Sequence, residues 1–166
     1  MPISSDDAPA APTPKPDWFE DGLTFSCTLC GDCCSGGPGF VWFNDEEAQA
    51  MADKVGMSVF DFLRTYAERE EGKWTLRNVR NAEGQHDCIF LKPLPGGKRG
   101  CGLYQVRPKQ CQTWPFWSGV IKSKKAWDKT AKKCPGMAKG NTGEGQFYPA
   151  DQIRIILKSN PGPLEG

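Results

Sequence analysis

Apolar residues fall in short clusters along this chain, each closed off by Gly, Pro, Asn or Asp. Over 1–17 the residues are mostly Pro, Ala, Ser and Asp, which predicts a disordered tail. Trp18, Phe19, Leu23 and Phe25 mark the start of packed structure. Phe40, Val41, Trp42 and Phe43, set between a glycine loop and Asn44, read as a buried strand or as a cap over the preceding loop, with ordinary core the simpler reading. The period then becomes helical. Ala48, Met51, Ala52 and Val55 share one face, Asn44 and Glu47 have capping-box spacing, and Gly56 ends the helix. Ser58 starts a second helix with Val59, Phe60, Leu63 and Tyr66 facing inward, so a helical hairpin is predicted over 45–70.

Alternation replaces this pattern over 73–81, where Trp74 and Leu76, and then Val79, are expected inward. A turn at 82–84, a strand over 87–91, a Pro/Gly/Lys loop over 93–100 and an extended piece over 101–104 follow. A small antiparallel sheet of two or three strands would set Cys88 and Cys101 at neighbouring strand ends. Arg107 and Pro108 open a short helix bearing Cys111. Residues 149–158 read as a last helix with Ile153, Ile156 and Leu157 inward, and 160–166 as a frayed tail. The expected fold class is α+β, small and loop-rich: one domain over 18–159, with short helices around a small antiparallel sheet, organised by a cysteine-ligated metal centre.

Composition explains why a metal enters this picture. Only 38% of the residues are hydrophobic, and Gly and Pro account for 33 of 166, so much of the backbone is turn and loop. Such a chain is expected to depend on bound metal for the folding of 25–137. No apolar run approaches the roughly 20 residues of a membrane helix, so no membrane partner is expected. A basic start followed by an apolar core is missing, so the expected location is cytoplasmic. Thiols stay reduced there, which favours metal binding or catalysis over disulfides.

The chain holds eight cysteines, four of them in Cys27-x2-Cys30-x2-Cys33-Cys34. Two thiolates two residues apart can turn onto one ion if the backbone between them folds tightly, and Gly31 supplies freedom for that turn. Cys33 and Cys34 are consecutive, so this loop alone offers poor geometry for four ligands on one tetrahedral ion. Remote cysteines must complete the coordination, and Cys88, Cys101, Cys111 and Cys134 are expected to join the loop in one compact locus. Four disulfides are the alternative, disfavoured by the strain of a vicinal pair and by the lack of an export signal. Cys88 or Cys134 could singly be plain buried thiols. The lone His86 reads as a loop residue rather than a ligand.

These cysteines, together with Cys101-x2-Tyr104-x2-Arg107-Pro108-x2-Cys111, Trp114-Pro115-Phe116 and Cys134-Pro135-Gly136, resemble the YkgJ-like cysteine-cluster family of zinc- or iron-chelating proteins over roughly 25–137. The resemblance implies that all eight cysteines belong to the family's cluster. It departs at Gln112, where the family often has arginine. The cluster also occurs in proteins similar to flagellin lysine methylases. Eight thiolates suffice for two zinc sites, or for one iron–sulfur cluster and a second site. The C-x2-C-x2-C run and Cys134-Pro135 favour iron, as a cluster or mononuclear, over structural zinc.

Three classes of function follow: a metal-binding module, an iron–sulfur-dependent enzyme related to protein lysine methylases, or a zinc-stabilised adaptor for nucleic acid or protein. The first is favoured, because no Gly-rich nucleotide loop, no paired carboxylates with an obvious histidine and no radical-chemistry C-x3-C-x2-C spacing is present. Residues 1–100 carry 16 acids and 10 bases, whereas 101–139 carry nine bases and one acid, Asp128. Cations beside three cysteines can offset a thiolate-rich centre. The chain's formal net charge of only +1 argues against a nucleic-acid surface. Tyr104 and Arg107 are read as outer residues that orient the ligands, with Arg107 more important for metal retention than Arg99.

Overall fold

The computed structural model describes residues 14–159. Both expected tails thus lie largely outside the described residues. The architecture is α+β, with small antiparallel sheets and short helices. Strand β1 (Leu23–Phe25) leads into the cysteine loop, and β2 (Ser35–Gly36) leaves it. Helix α1 (Asp45–Val55) has the capping box of Asn44 and Glu47, and Gly56 ends it at φ 74°. Helix α2 (Val59–Tyr66) starts at Ser58, whose hydroxyl accepts from the Asp61 N–H.

The second helix ends earlier than its pattern predicts. Residues 67–70 instead form β3 (Ala67–Glu70), which pairs with β4 (Lys73–Leu76). Glu71 (φ 48°) and Gly72 (φ 78°) both adopt the left-handed conformation that a two-residue hairpin needs. Phe60 is also corrected: it is 71% exposed, while Phe62 is fully buried. The helix's inner stripe is therefore Val59, Phe62, Leu63 and Tyr66.

The expected strand over 73–81 breaks at Arg77, whose guanidinium Nε donates to the Ala67 carbonyl at 2.8 Å. After it, β5 (Asn78–Arg80) pairs with β6 (His86–Cys88), and β6 also pairs with β2. Val79 is exposed rather than inward. Ile89 and Phe90 turn the chain into β7 (Leu91–Pro93), which pairs with β8 (Arg99–Cys101). The described residues thus form four small sheets instead of one, and Cys88 and Cys101 end strands of different sheets.

Helix α3 (Lys109–Gln112) has Pro108 at its cap. The lysine-rich stretch is helical: α4 (Ser118–Ile121) and α5 (Lys124–Ala131), with Trp127 and Ala131 buried. Helix α6 (Pro135–Gly140) then packs on β1. Strand β9 (Gln146–Tyr148) pairs with β1, and α7 (Ala150–Ser159) completes the chain's described part.

Two apolar clusters result. The hairpin core comprises Phe43, Ala48, Met51, Ala52, Phe62, Ala67, Leu76, Phe90 and Leu103. The closing core joins Phe19 and Phe25 to Phe116, Ile121, Trp127, Met137 and Ile153. Trp18 Nε1 donates to the Ile121 carbonyl at 2.6 Å, and Arg154 pairs with Asp17 and Glu20. Gly136 and Gly140 allow α6 to approach β1. A Cβ on Gly136 would lie 2.2 Å from the Ser26 carbonyl oxygen, and one on Gly140 would lie 1.8 Å from that of Thr24.

Candidate metal centre

The cysteine loop begins two residues after β1. The Leu29 N–H donates to Cys27 Sγ at 3.5 Å, and the Asp32 N–H donates to Cys30 Sγ at 3.5 Å. Leu29 takes a left-handed φ of 56°, a conformation non-glycine residues seldom adopt. Gly31 has φ 78°, and a Cβ there would lie 2.9 Å from Arg99 Cβ and from Leu91 Cδ1, so glycine is required on both grounds. A 3-10 turn, Asp32–Cys34, follows and brings Cys33 Sγ to 3.8 Å from Cys34 Sγ.

Arg99 holds this loop from the other side. Its Nη2 meets Asp32 Oδ1 at 2.9 Å, its Nε donates to the Cys30 carbonyl, and its backbone N–H donates to the Leu29 carbonyl. Arg99 is therefore no bystander beside Arg107. Its role could not be read from a position embedded in a Pro/Gly/Lys loop.

The downstream cysteines repeat the local geometry of the loop. Cys88 accepts from the Phe90 N–H, Cys101 from the Leu103 N–H at 3.3 Å, and Cys134 from the Gly136 and Met137 N–H groups. Five cysteines thus each face a backbone N–H two residues ahead. Such donors favour a sulfur carrying negative charge. Cys111 sits on α3, and burial leads the causes that raise its pKa.

Six cysteines, Cys27, Cys33, Cys34, Cys88, Cys101 and Cys111, line one cavity of about 390 Å³. Cys30 and Cys134 lie outside this lining, but the charge of Cys134 acts on Cys30, and that of Cys33 acts on Cys134. The loop and the four remote cysteines therefore form one neighbourhood. Among the described residues, no three His, Cys, Asp or Glu side chains are drawn tightly enough together to hold an ion. The thiols share a cavity rather than a finished coordination sphere.

The donor set nevertheless suits a thiophilic metal. Cys33 is pushed up by its hydrogen bond with Cys34, then by burial. Burial raises Cys88 to about 11, with the charges of Cys101 and Cys33 adding to it. Burial is also the first cause of the upward shifts at Cys30, Cys101 and Cys134. Crowded thiolates with little water repel one another, and a bound cation reverses the sign of that environment. Arg107 acts in the same direction as a cation, lowering Cys33, Cys101 and Cys111 against their net shifts.

Tyr104 and Arg107 both line the cavity, the guanidinium lying 4.0 Å from the ring centroid. His86 is on β6 and lines the cavity, so the loop assignment is corrected. The aromatic run splits: Phe43 is core, while Phe40 is 46% exposed and lines the cavity. Trp114 and Trp117 contribute to the wall as well, and the Trp114 side chain hydrogen-bonds Cys134. Trp117 carried no sequence signal beyond membership of an aromatic cluster.

A family model described as "CxxCxxCC: Putative zinc- or iron-chelating domain" matches residues 26–135, a span that holds all eight cysteines. No solved structure matches the chain.

Proposed function

The chain belongs to the CxxCxxCC family, and from that premise we propose that it is a metal-binding module whose cysteines chelate iron, as an iron–sulfur cluster or an iron ion. Zinc is the other candidate. The observation that carries this reading is the repeated turn in which a backbone N–H faces a sulfur two residues behind it. Plain buried thiols have no need of an oriented donor, and disulfide sulfurs carry no charge for one to stabilise.

In this reading Cys27, Cys30, Cys33, Cys34, Cys88, Cys101, Cys111 and Cys134 supply the ligands within one domain over 18–159. Arg107, stacked on Tyr104, offsets their charge, and Arg99 holds the loop's shape. The exposed lysines of α5 add positive charge to the same half of the chain. Among the described residues no helix is long and apolar enough to cross a membrane. A cytoplasmic location, where thiols stay reduced, fits the proposed chemistry.

Anaerobic purification followed by metal analysis and an absorption spectrum tests this directly. Bound iron is the expected result, with brown colour and acid-labile sulfide for a cluster and no sulfide for an iron ion. A colourless protein with stoichiometric zinc keeps the chelating function and removes iron. Protein that retains neither metal, even after anaerobic reconstitution, overturns the proposal.

A further inference from the structure

The cavity extends beyond its cysteines. At about 390 Å³ it falls in the size range of small-molecule pockets, whereas a water's share of liquid volume is roughly 30 Å³. Its walls also include groups with no part in ligation. Phe40, Trp114, Trp117 and Tyr104 contribute aromatic surface, and Pro38 and Val41 extend the apolar lining.

This wall is built rather than incidental. Buried Gln110, 3% exposed, donates from Nε2 to the Phe40 carbonyl at 2.8 Å and accepts from the Trp42 N–H at 3.1 Å. Its own carbonyl accepts from Trp117 Nε1 at 2.8 Å. Trp114 and Trp117 meet edge to face, with centroids 4.8 Å apart. One glutamine therefore holds the Phe40 segment and the tryptophan pair against each other.

The charge in the cavity points to the ligand's sign. Arg107 Nε is buried and has no hydrogen-bond partner. That atom is closed to the cavity, but Arg107 itself lines it, and the guanidinium has five donors, enough to face both sulfur and a second anion. We infer that the aromatic side of this cavity binds a small planar aromatic carboxylate, its ring against Phe40, Trp114 and Trp117 and its carboxylate on Arg107. The inference rests on the proposed metal-site function only for what the ligand faces on its inner side.

Benzoate is a suitable probe, with benzamide as its neutral counterpart and cyclohexanecarboxylate as its non-planar one. Binding is measured by calorimetry on the protein as purified, with metal content determined on every sample. Benzoate should bind at least tenfold more tightly than benzamide and severalfold more tightly than cyclohexanecarboxylate. Arg107→Gln should weaken benzoate tenfold or more, and Phe40→Ala severalfold. Failure of benzoate to bind, equal binding of benzoate and benzamide, or unchanged affinity in Arg107→Gln overturns the inference. If Arg107→Gln also sheds metal, Phe40→Ala decides, since a phenyl ring is no metal ligand; unchanged affinity there overturns the inference. Metal bound without benzoate defeats this proposal alone. Arg107-dependent benzoate binding to a protein that never takes metal defeats only the metal reading.

Discussion

The two apolar cores are assembled in opposite ways. The hairpin core draws on one continuous stretch, from Phe43 to Leu103. Its helices carry their own caps and stripes, so each piece is locally specified. The closing core instead joins Phe19 and Phe25 to residues from 116 to 153. Its strand pair, β1 with β9, is only three residues long, and α6 packs against β1. The cysteine loop leaves the closing core at β1, and Cys88 and Cys101 pack against the hairpin core. The locus is therefore bracketed by a core that can form early from local contacts and one that must wait for distant segments to meet.

The strongest way to break this contrast is Trp127→Ala. Trp127 is fully buried, stacks near Phe116 and donates from Nε1 to Asn141 Oδ1 at 2.9 Å. The expected loss is about 3–5 kcal/mol in urea denaturation. Amides of α1 and α2 should keep their exchange protection while those of α5 and α6 lose theirs. Equal loss in both would mean that the cores unfold as a single unit.

Gly140→Ala probes the closing core with a change of sign. Helix propensity alone predicts a gain of about 1 kcal/mol for this substitution. The new Cβ would instead meet the Thr24 carbonyl oxygen at 1.8 Å, backbone that cannot swing aside. A net loss of about 1–3 kcal/mol is expected, read as a lower urea midpoint. A raised midpoint would show that α6 does not press on β1.

Alkaline pH tests the bracketed locus itself. Where the two apolar cores keep the reduced protein folded without metal, burial raises Cys88 from the ordinary thiol value of 9.0 to about 11. A group raised on folding stabilises the fold fully below its unfolded value and loses that contribution as pH climbs through the folded one. The urea midpoint should therefore fall between pH 9 and about 11. Metal-loaded protein should respond the other way at the low end, releasing metal as acid reprotonates its thiolates. A midpoint flat across the alkaline window would show that the thiols are not crowded as described.

The smallest effect is expected at Arg99. Its pair with Asp32 is 35% and 44% exposed, and exposed pairs are worth about 0–1 kcal/mol. Arg99→Met should barely move the urea midpoint, yet metal loss to a competing chelator should quicken relative to Arg80→Met. Equal rates would leave Arg99 a surface residue.

The same contrast governs what could be read from the residues. Asn44, Glu47, Gly56 and Ser58 announced α1 and the start of α2 because their signals lie within one turn of the backbone. The β3–β4 hairpin was obscured because its turn is Glu71-Gly72 rather than Asn-Gly or Asp-Gly. Phe60 was misplaced because the stripe's phase depends on where the first turn begins. The lysine stretch hid α5, since only Trp127 and Ala131 of its eight residues are buried. The β1–β9 pair was illegible because three residues on each strand carry no period. At the locus, cysteine spacing alone named the eight thiols. The aromatic wall stayed hidden because it is gathered through Gln110, one polar residue bonded to segments some 70 positions away.

Gln110 also gives the locus an optical handle. Its backbone carbonyl takes the indole N–H of Trp117, and its side chain takes the backbone N–H of Trp42. It stands next to Cys111 in the same helix. A shift of that helix when the thiol is engaged reaches two chromophores through hydrogen bonds rather than through solvent. Metal binding at the cysteines should therefore change the tryptophan emission of this chain without any label.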